Sequence, residues 1–124
     1  MSQERVTFTN PAEKPNGLTL DELFEYQADA EKKDLVSNCA RWSVSLGGTY
    51  VHPMAQHGVD GYTLRYAVHF GKNPVETVIQ GSSALDLWAA ADRLIHESGD
   101  LHHVFIEAFM FTAKPNVIEL VTGS

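Results

Sequence analysis

The hydrophobic period of this 124-residue chain changes from helical to extended and back, and this alternation constrains the fold most strongly. Apolar residues in segment 20–35 recur at helical spacing, and those in 41–46 and 62–70 alternate with polar residues as in half-buried strands. Helical spacing returns in segment 84–96, and two further strand-like segments follow. An order of this kind predicts an α+β domain.

The first predicted helix has a well-marked beginning. Thr19 and Glu22 have the spacing of a capping box, and Leu18 and Leu23 have that of a hydrophobic staple. The apolar side chains of this segment form one stripe, composed of Leu20, Leu23, Phe24, Ala28 and Leu35. We therefore expect a helix over about residues 20–35.

Six strands are predicted, at residues 41–46, 49–52, 62–70, 75–80, 104–112 and 117–121. Gly47-Gly48 favours a two-residue hairpin turn between the first two strands. Because short turns join the first four strands, they are expected to form an antiparallel meander. Segment 104–112 is apolar on both faces, which predicts a central position in the sheet.

The second predicted helix begins after Ser83, which forms a capping box with Asp86, and Gly99 is placed for a left-handed C-terminal cap. The complete prediction is an antiparallel sheet of five to six strands with two helices packed on it, in the order α-β-β-β-β-α-β-β. Residues 1–17 are expected to form an N-terminal tail, in which 5–9 alternate like a short strand. Residues 18–124 are expected to form a single α+β domain.

Composition excludes several classes of function. Sixteen acidic residues against nine basic ones give a net charge of −7, which disfavours direct binding to nucleic acid because phosphates are neutralised by Lys and Arg. The single cysteine, Cys39, cannot form an internal disulfide, and we see neither a signal peptide nor a membrane span. We therefore expect a cytoplasmic protein.

The sequence contains no motif that identifies a catalytic, cofactor or metal site. The six histidines include His52, His57, His69 and the adjacent pair His102 and His103, but they lack the spacing of metal ligands. Cys39 follows a predicted helix C-terminus, where the dipole does not favour a thiolate. Gly81-Ser82-Ser83 precedes a helix and would suit an anion, although the simpler interpretation is that Ser83 caps that helix.

Two segments remain as candidate contact surfaces for another protein. The first helix has six acidic and two basic residues, a net charge of −4, and complementary charge on a partner would speed and select its binding. The segment 49–60, a predicted short strand with the loop that follows it, contains aromatic, methionine and histidine residues. The candidate partner-binding residues are Asp21, Glu22, Glu25, Asp29, Tyr50, His52, Met54 and His57.

These observations favour a non-catalytic protein-binding module whose partner has a basic surface. It would act as a small regulator, as an inhibitor such as a phage-type antagonist of a host enzyme, or as an assembly subunit. The alternative is a small enzyme or small-ligand-binding domain with a pocket between sheet and helices. In that case Arg65 with His69, or His103, would supply polar groups. Homodimerisation through the sheet is a third hypothesis.

Overall fold

A computed structural model describes residues 4–36, 40–46, 48–67, 74–99 and 103–123. Its helices and strands are α1 (Leu20–Lys32), β1 (Arg41–Trp42), β2 (Ser45–Leu46), β3 (Thr49–Tyr50), β4 (Thr63–Tyr66), β5 (Val75–Val78), α2 (Ala84–Ser98), β6 (Phe105–Phe111) and β7 (Val117–Gly123). The α+β class is confirmed. Cys39, His69 and His102, which the sequence analysis considered, lie outside the described residues.

Five strands form one sheet in the order β1-β6-β7-β4-β5, and β2 and β3 form a separate hairpin. Two pairs are antiparallel, β4 with β5 and β6 with β7, whereas β1 is parallel to β6 and β4 is parallel to β7. The prediction of a purely antiparallel sheet built on a meander is therefore wrong. Parallel neighbours need a long connection. Here the chain passes through β2 to β5 and α2 between β1 and β6, and through β5, α2 and β6 between β4 and β7.

The predicted strand 41–46 is divided between the two sheets. Ser43 N donates to the carbonyl of Ile106 (2.9 Å), whereas Val51 N, just after the hairpin, donates to the carbonyl of Val44 (2.9 Å). Trp42 and Val44 are buried, so the predicted alternation is correct. The predicted hairpin is also confirmed, because β2 pairs with β3 in antiparallel register.

Helix α1 begins as predicted but ends three residues earlier. Both hydrogen bonds of the Thr19–Glu22 capping box are present. At the C-terminus Asp34 adopts a left-handed conformation (φ 61°), Leu35 N donates to the carbonyl of Ala30 (2.9 Å), and Asp34 N donates to that of Glu31 (3.1 Å). This pair of bonds is a Schellman motif, which ends the helix because the left-handed residue cannot continue it.

The buried face of α1 differs from the apolar stripe in the sequence. Leu23, Gln27 and Ala30 are buried, whereas Leu20 and Phe24 are 47% and 58% exposed. The helix contacts the edge strand β1 and strand β3 of the separate hairpin, so only a narrow part of its surface is enclosed. The other side of the stripe therefore remains exposed.

Helix α2 packs against β4 and β5 and carries the largest share of the core. Its predicted caps at Ser83 and Gly99 are both present. From its middle, Asp92 Oδ1 accepts a hydrogen bond from Ala40 N (3.0 Å), and Trp88 Nε1 donates to the Ala40 carbonyl (3.3 Å). These two bonds attach the segment that precedes β1 to the helix. Neither helix, within the described ranges, is long and apolar enough to cross a membrane.

The N-terminal segment contacts the sheet through single bridges. Val6 N donates to the carbonyl of Phe109 (2.7 Å) and Phe111 N donates to that of Glu4 (2.8 Å), so residues 4–6 continue the edge of β6 beyond the short β1. Val6 is buried, and Phe8 packs edge-on against Trp42. These contacts place residues 4–9 against the core.

Candidate functional site

A groove of about 450 Å³ lies between α1, the loop that follows β3, and the first turn of α2. We call it the α1 groove. Its lining combines carboxylates, one lysine, a tyrosine and several apolar side chains: Glu25, Tyr26, Asp29, Ala30, Lys33, Leu35, Met54 and Leu85. The groove is open to solvent on part of its surface.

The apolar wall of the α1 groove is a consequence of how α1 ends. The left-handed Asp34 turns the chain so that Leu35 lies beside Ala30, the contact that usually accompanies a Schellman motif. Leu35 and Met54 are 48% and 50% exposed, and Leu85 is partly buried. Single exposed apolar residues are common on proteins, but several around one groove indicate a contact surface.

The charge of the α1 groove is carried by one face of α1. Asp29 and Lys33 form an ion pair one turn apart (3.0 Å) with both side chains more than half exposed, so it adds little to stability. Glu25 is exposed and has no ion-pair partner among the residues that the structure describes. A basic group in the groove would therefore meet the Glu25 carboxylate without displacing a strong internal pair.

Two histidines form the same kind of hydrogen bond to the backbone of the loop that contains Met54. His52 Nδ1 accepts a hydrogen bond from Met54 N (2.9 Å), and His57 Nδ1 accepts one from Val59 N (3.1 Å). Both imidazoles are only 7% exposed, and the His52 ring also packs edge-on against Tyr26, with 5.0 Å between ring centres. Because Nδ1 accepts in each case, the neutral ring carries its proton on Nε2.

The same loop forms the N-terminal cap of α2. Leu85 N donates to the Pro53 carbonyl and Ala84 N to the Ala55 carbonyl, both at 2.7 Å. The side chain of Ser83 caps the helix as well, as the simpler interpretation of Gly81-Ser82-Ser83 predicts. These amides are therefore occupied by the protein itself, and an anion would have to displace the loop.

Burial shifts the acid–base equilibrium of both loop histidines. Desolvation lowers the pKa of His52, and the nearby Lys14 acts in the same direction. Desolvation likewise lowers the pKa of His57. The opposite case is Glu22, whose pKa is lowered to about 2, first by its hydrogen bond with Lys14. Both histidines are therefore neutral, and Glu22 is ionised, at neutral pH.

The structure brings together three of the eight predicted contact residues. Glu25 and Asp29 from α1 and Met54 from the loop line the α1 groove, although they come from two separately predicted surfaces. Tyr50 lies on the other side of α1, in a smaller groove that also includes the exposed side chains of Phe24 and Phe105.

The remaining four predicted residues have other surroundings. Asp21 is exposed in the first turn of α1, and Glu22 is used in the capping box and in an ion pair with Lys14 (2.6 Å). His52 and His57 are buried and hydrogen-bonded within the loop, so they support the groove instead of presenting a surface to a partner.

Sequence reasoning missed five of the eight residues that line the α1 groove: Tyr26, Ala30, Lys33, Leu35 and Leu85. Tyr26 and Leu35 both lie in the predicted helix over residues 20–35. Leu35 was assigned to the last turn of that helix, and only the left-handed conformation at Asp34 places it in the groove. Leu85 comes from the first turn of α2, whose position beside α1 carries no local signal. Within the described residues, no three His, Cys, Asp or Glu side chains lie close enough to hold a metal ion.

Comparison with known proteins gives no relative from which a function could be transferred. No family model, no curated protein sequence and no solved structure matches this chain.

Proposed function

We propose that this protein is a non-catalytic protein-binding module that holds a basic, partly apolar segment of another protein in the α1 groove. The observation that carries the proposal is the placement of Glu25 and Asp29 beside the exposed Leu35 and Met54 in one open groove. Carboxylates next to apolar side chains complement a segment in which lysine or arginine alternates with a hydrophobic residue.

The two kinds of side chain have different effects on binding. The net charge of −7 on the protein and the acidic face of α1 attract a basic segment and increase its association rate. Individual charge pairs at such an exposed rim are worth only about 0.2–1 kcal/mol. Retention therefore depends on covering Leu35, Met54 and Leu85, since apolar burial stabilises a contact by about 25 cal/mol per Å².

A defined peptide tests the proposal by NMR. We expect a dodecapeptide of alternating lysine and leucine to shift the backbone amide signals of Glu25, Tyr26, Asp29, Met54 and Leu85 in a saturable manner. A peptide of alternating glutamate and leucine has the same apolar content and should leave these signals unchanged. If both peptides shift these signals equally, or if neither peptide shifts them, the proposal that the groove binds by charge complementarity is wrong.

A matched pair of variants separates a local effect from a change in total charge. Glu25→Gln with Asp29→Asn removes two carboxylates from the α1 groove and should weaken binding of the lysine–leucine peptide about fivefold. Glu76→Gln with Glu97→Gln removes the same charge from two exposed positions. Glu76 lies on β5, and Glu97 lies near the end of α2, about 18 Å from Leu85 along the helix axis. This control should retain almost all of the affinity.

The volume of the groove also favours a second candidate, a small ligand. About 450 Å³ lies within the range of small-molecule pockets, roughly 300–1,000 Å³. An alkylamine such as octylamine offers the same ammonium and apolar chemistry without a peptide backbone. If octylamine saturates the same amide signals at concentrations where the lysine–leucine peptide does not, the groove is a small-ligand site instead.

A further inference from the structure

The loop that forms one wall of the α1 groove depends on two uncharged imidazoles. His52 and His57 each accept the backbone N–H of the residue two positions later, Met54 and Val59 respectively. Met54 is a wall residue of the groove, so the first of these bonds fixes the residue that a partner would contact. His57 Nε2 is buried, and the backbone of Gly81 and Ser83 lies close enough to favour its protonated form, although burial outweighs this effect.

We infer that this loop is a proton-sensitive latch: protonation of His52 and His57 releases the Met54 wall, so that the α1 groove holds its partner at neutral pH and releases it in mildly acidic medium. The inference rests on the proposed function for the identity of what is released. The response of the loop itself is independent of any partner.

The chemistry of the imidazole explains the release. A protonated ring carries hydrogen on both nitrogens, so Nδ1 becomes a donor that faces the donor N–H of Met54 or Val59. Each of these amides then loses its acceptor, and each ring becomes a buried cation. Rearrangement of the loop relieves both conditions, because it returns the rings and the amides to water.

The charged groups around His52 both oppose and favour its protonation. Burial and Lys14 disfavour the charged ring, whereas Glu22 and Glu13 favour it. Lys14 and Glu22 are paired with each other (2.6 Å), which limits the influence of either charge on the imidazole. The ring of Tyr26 on α1 covers His52 without offering it a charge.

Two carboxylates lie near His57, and both are already engaged. Asp86 on α2 accepts hydrogen bonds from Ser83, and Asp60 Oδ1 accepts one from Gly81 N (2.9 Å). They favour protonation of His57, but burial outweighs them and lowers its pKa.

The sign of the pH effect follows for both histidines. Since their pKa in the folded protein lies below the ordinary value of about 6.5, protons stabilise the opened loop as pH falls below that value.

Movement of the loop also affects Leu85, a second residue that lines the α1 groove. The carbonyls of Pro53 and Ala55 accept from the first amides of α2, and Leu85 is both the donor to Pro53 and a groove residue. A loop that moves away therefore removes two carbonyl acceptors from the first amides of α2, while the Ser83 capping box remains, and it also removes the contact surface of Met54. Protonation of the two loop histidines is coupled in this way to two residues of the groove, Met54 and Leu85.

Amide hydrogen exchange of the intact protein tests the latch without a partner. Between pH 7 and pH 5 we expect the protection factors of the Met54 and Val59 amides to fall about tenfold relative to Leu94, in the buried middle of α2. The ring signals of His52 and His57 should change together with the loss of protection, since burial lowers the pKa of both rings. Unchanged protection of both loop amides down to pH 5 would overturn the inference.

A variant pair removes the titration while keeping the hydrogen bonds. Asparagine readily accepts the backbone N–H two residues later, so His52→Asn with His57→Asn should keep the loop closed from pH 7 to pH 5. The control His96→Asn removes an exposed histidine and should behave like the unmodified protein. If the double variant loses protection on acidification as the unmodified protein does, the histidines are not the latch.

Binding of the lysine–leucine peptide separates failure of the latch from failure of the proposed function. We expect the unmodified protein to bind it at least about tenfold more weakly at pH 5.5 than at pH 7, and the double asparagine variant to bind it equally at both. Titration of the loop without peptide binding at any pH would refute the proposed function and support the proton-sensitive loop. Equal peptide binding at both pH values by the unmodified protein would refute the latch and leave the proposed function intact.

Discussion

Asp92 is a buried carboxylate whose replacement gives the sharpest test of how the domain is held together. It lies on the core-facing side of α2, is 3% exposed, and accepts a hydrogen bond from the buried amide of Ala40 (3.0 Å). Ala40 directly precedes β1, so this bond attaches the edge of the sheet to the helix. We predict that Asp92→Ala destabilises the whole domain, not only the local turn.

The magnitude follows from what the substitution removes. A hydrogen bond to a charged group contributes about 1.5–3 kcal/mol, and the Ala40 amide would be left buried without this acceptor. The better helix propensity of alanine returns about 0.5 kcal/mol. The expected loss is therefore about 1–2.5 kcal/mol, which corresponds to a decrease in Tm of roughly 4–10 °C for a domain of this size.

Urea denaturation followed by tryptophan fluorescence measures this loss. Asp92→Asn retains an oxygen that can accept from Ala40 N, so it should cost about half as much as Asp92→Ala. Glu97→Ala, at an exposed position on the same helix, is the control and should change the free energy of unfolding by less than about 0.5 kcal/mol. If Asp92→Ala is as stable as this control, the bond to Ala40 does not hold the edge of the sheet.

Two further predictions concern α1 and the aromatic core. The pKa of Glu22 is lowered from 4.5 to about 2, chiefly by Lys14, so the stabilising effect of this carboxylate is present above pH 4.5 and is lost as pH falls through about 2. Lys14→Ala should raise the titration midpoint of the Glu22 carboxyl group measured by NMR. An unchanged midpoint would contradict Lys14 as the cause. Trp42→Phe removes the Nε1–H that donates to the buried Val51 carbonyl (3.1 Å). We expect urea denaturation to show a free energy of unfolding lower by about 1–3 kcal/mol. A change below about 0.5 kcal/mol would show that water or another donor replaces the bond.

Local signals in the sequence predict local structure well in this protein. Both capping boxes, the left-handed cap at Gly99 and the hairpin of β2 and β3 are present as predicted. The alternation in β4 also places Leu64 and Tyr66 in the core, as expected. Each of these features depends on residues only a few positions apart, so the relevant interactions can be identified from spacing alone.

The buried histidines show where such reasoning fails. His52 and His57 were predicted as partner-contact residues because they lie with Tyr50 and Met54 in segment 49–60, and the structure encloses both against α1 and α2. Their burial depends on where the helices lie, and that placement is a property of the assembled domain. The same holds for Phe24, which helical spacing assigns to the apolar stripe but which remains 58% exposed.

The sequence by itself determined the α+β class, the beginnings of both helices and the acidity of α1. Only the tertiary structure decided the mixed strand order and the meeting of Glu25, Asp29 and Met54 in one groove. The physical reason is the range of the interactions. Caps, turns and periodicity act over a few residues, whereas strand partners and groove walls are selected by packing between segments that are distant in the chain.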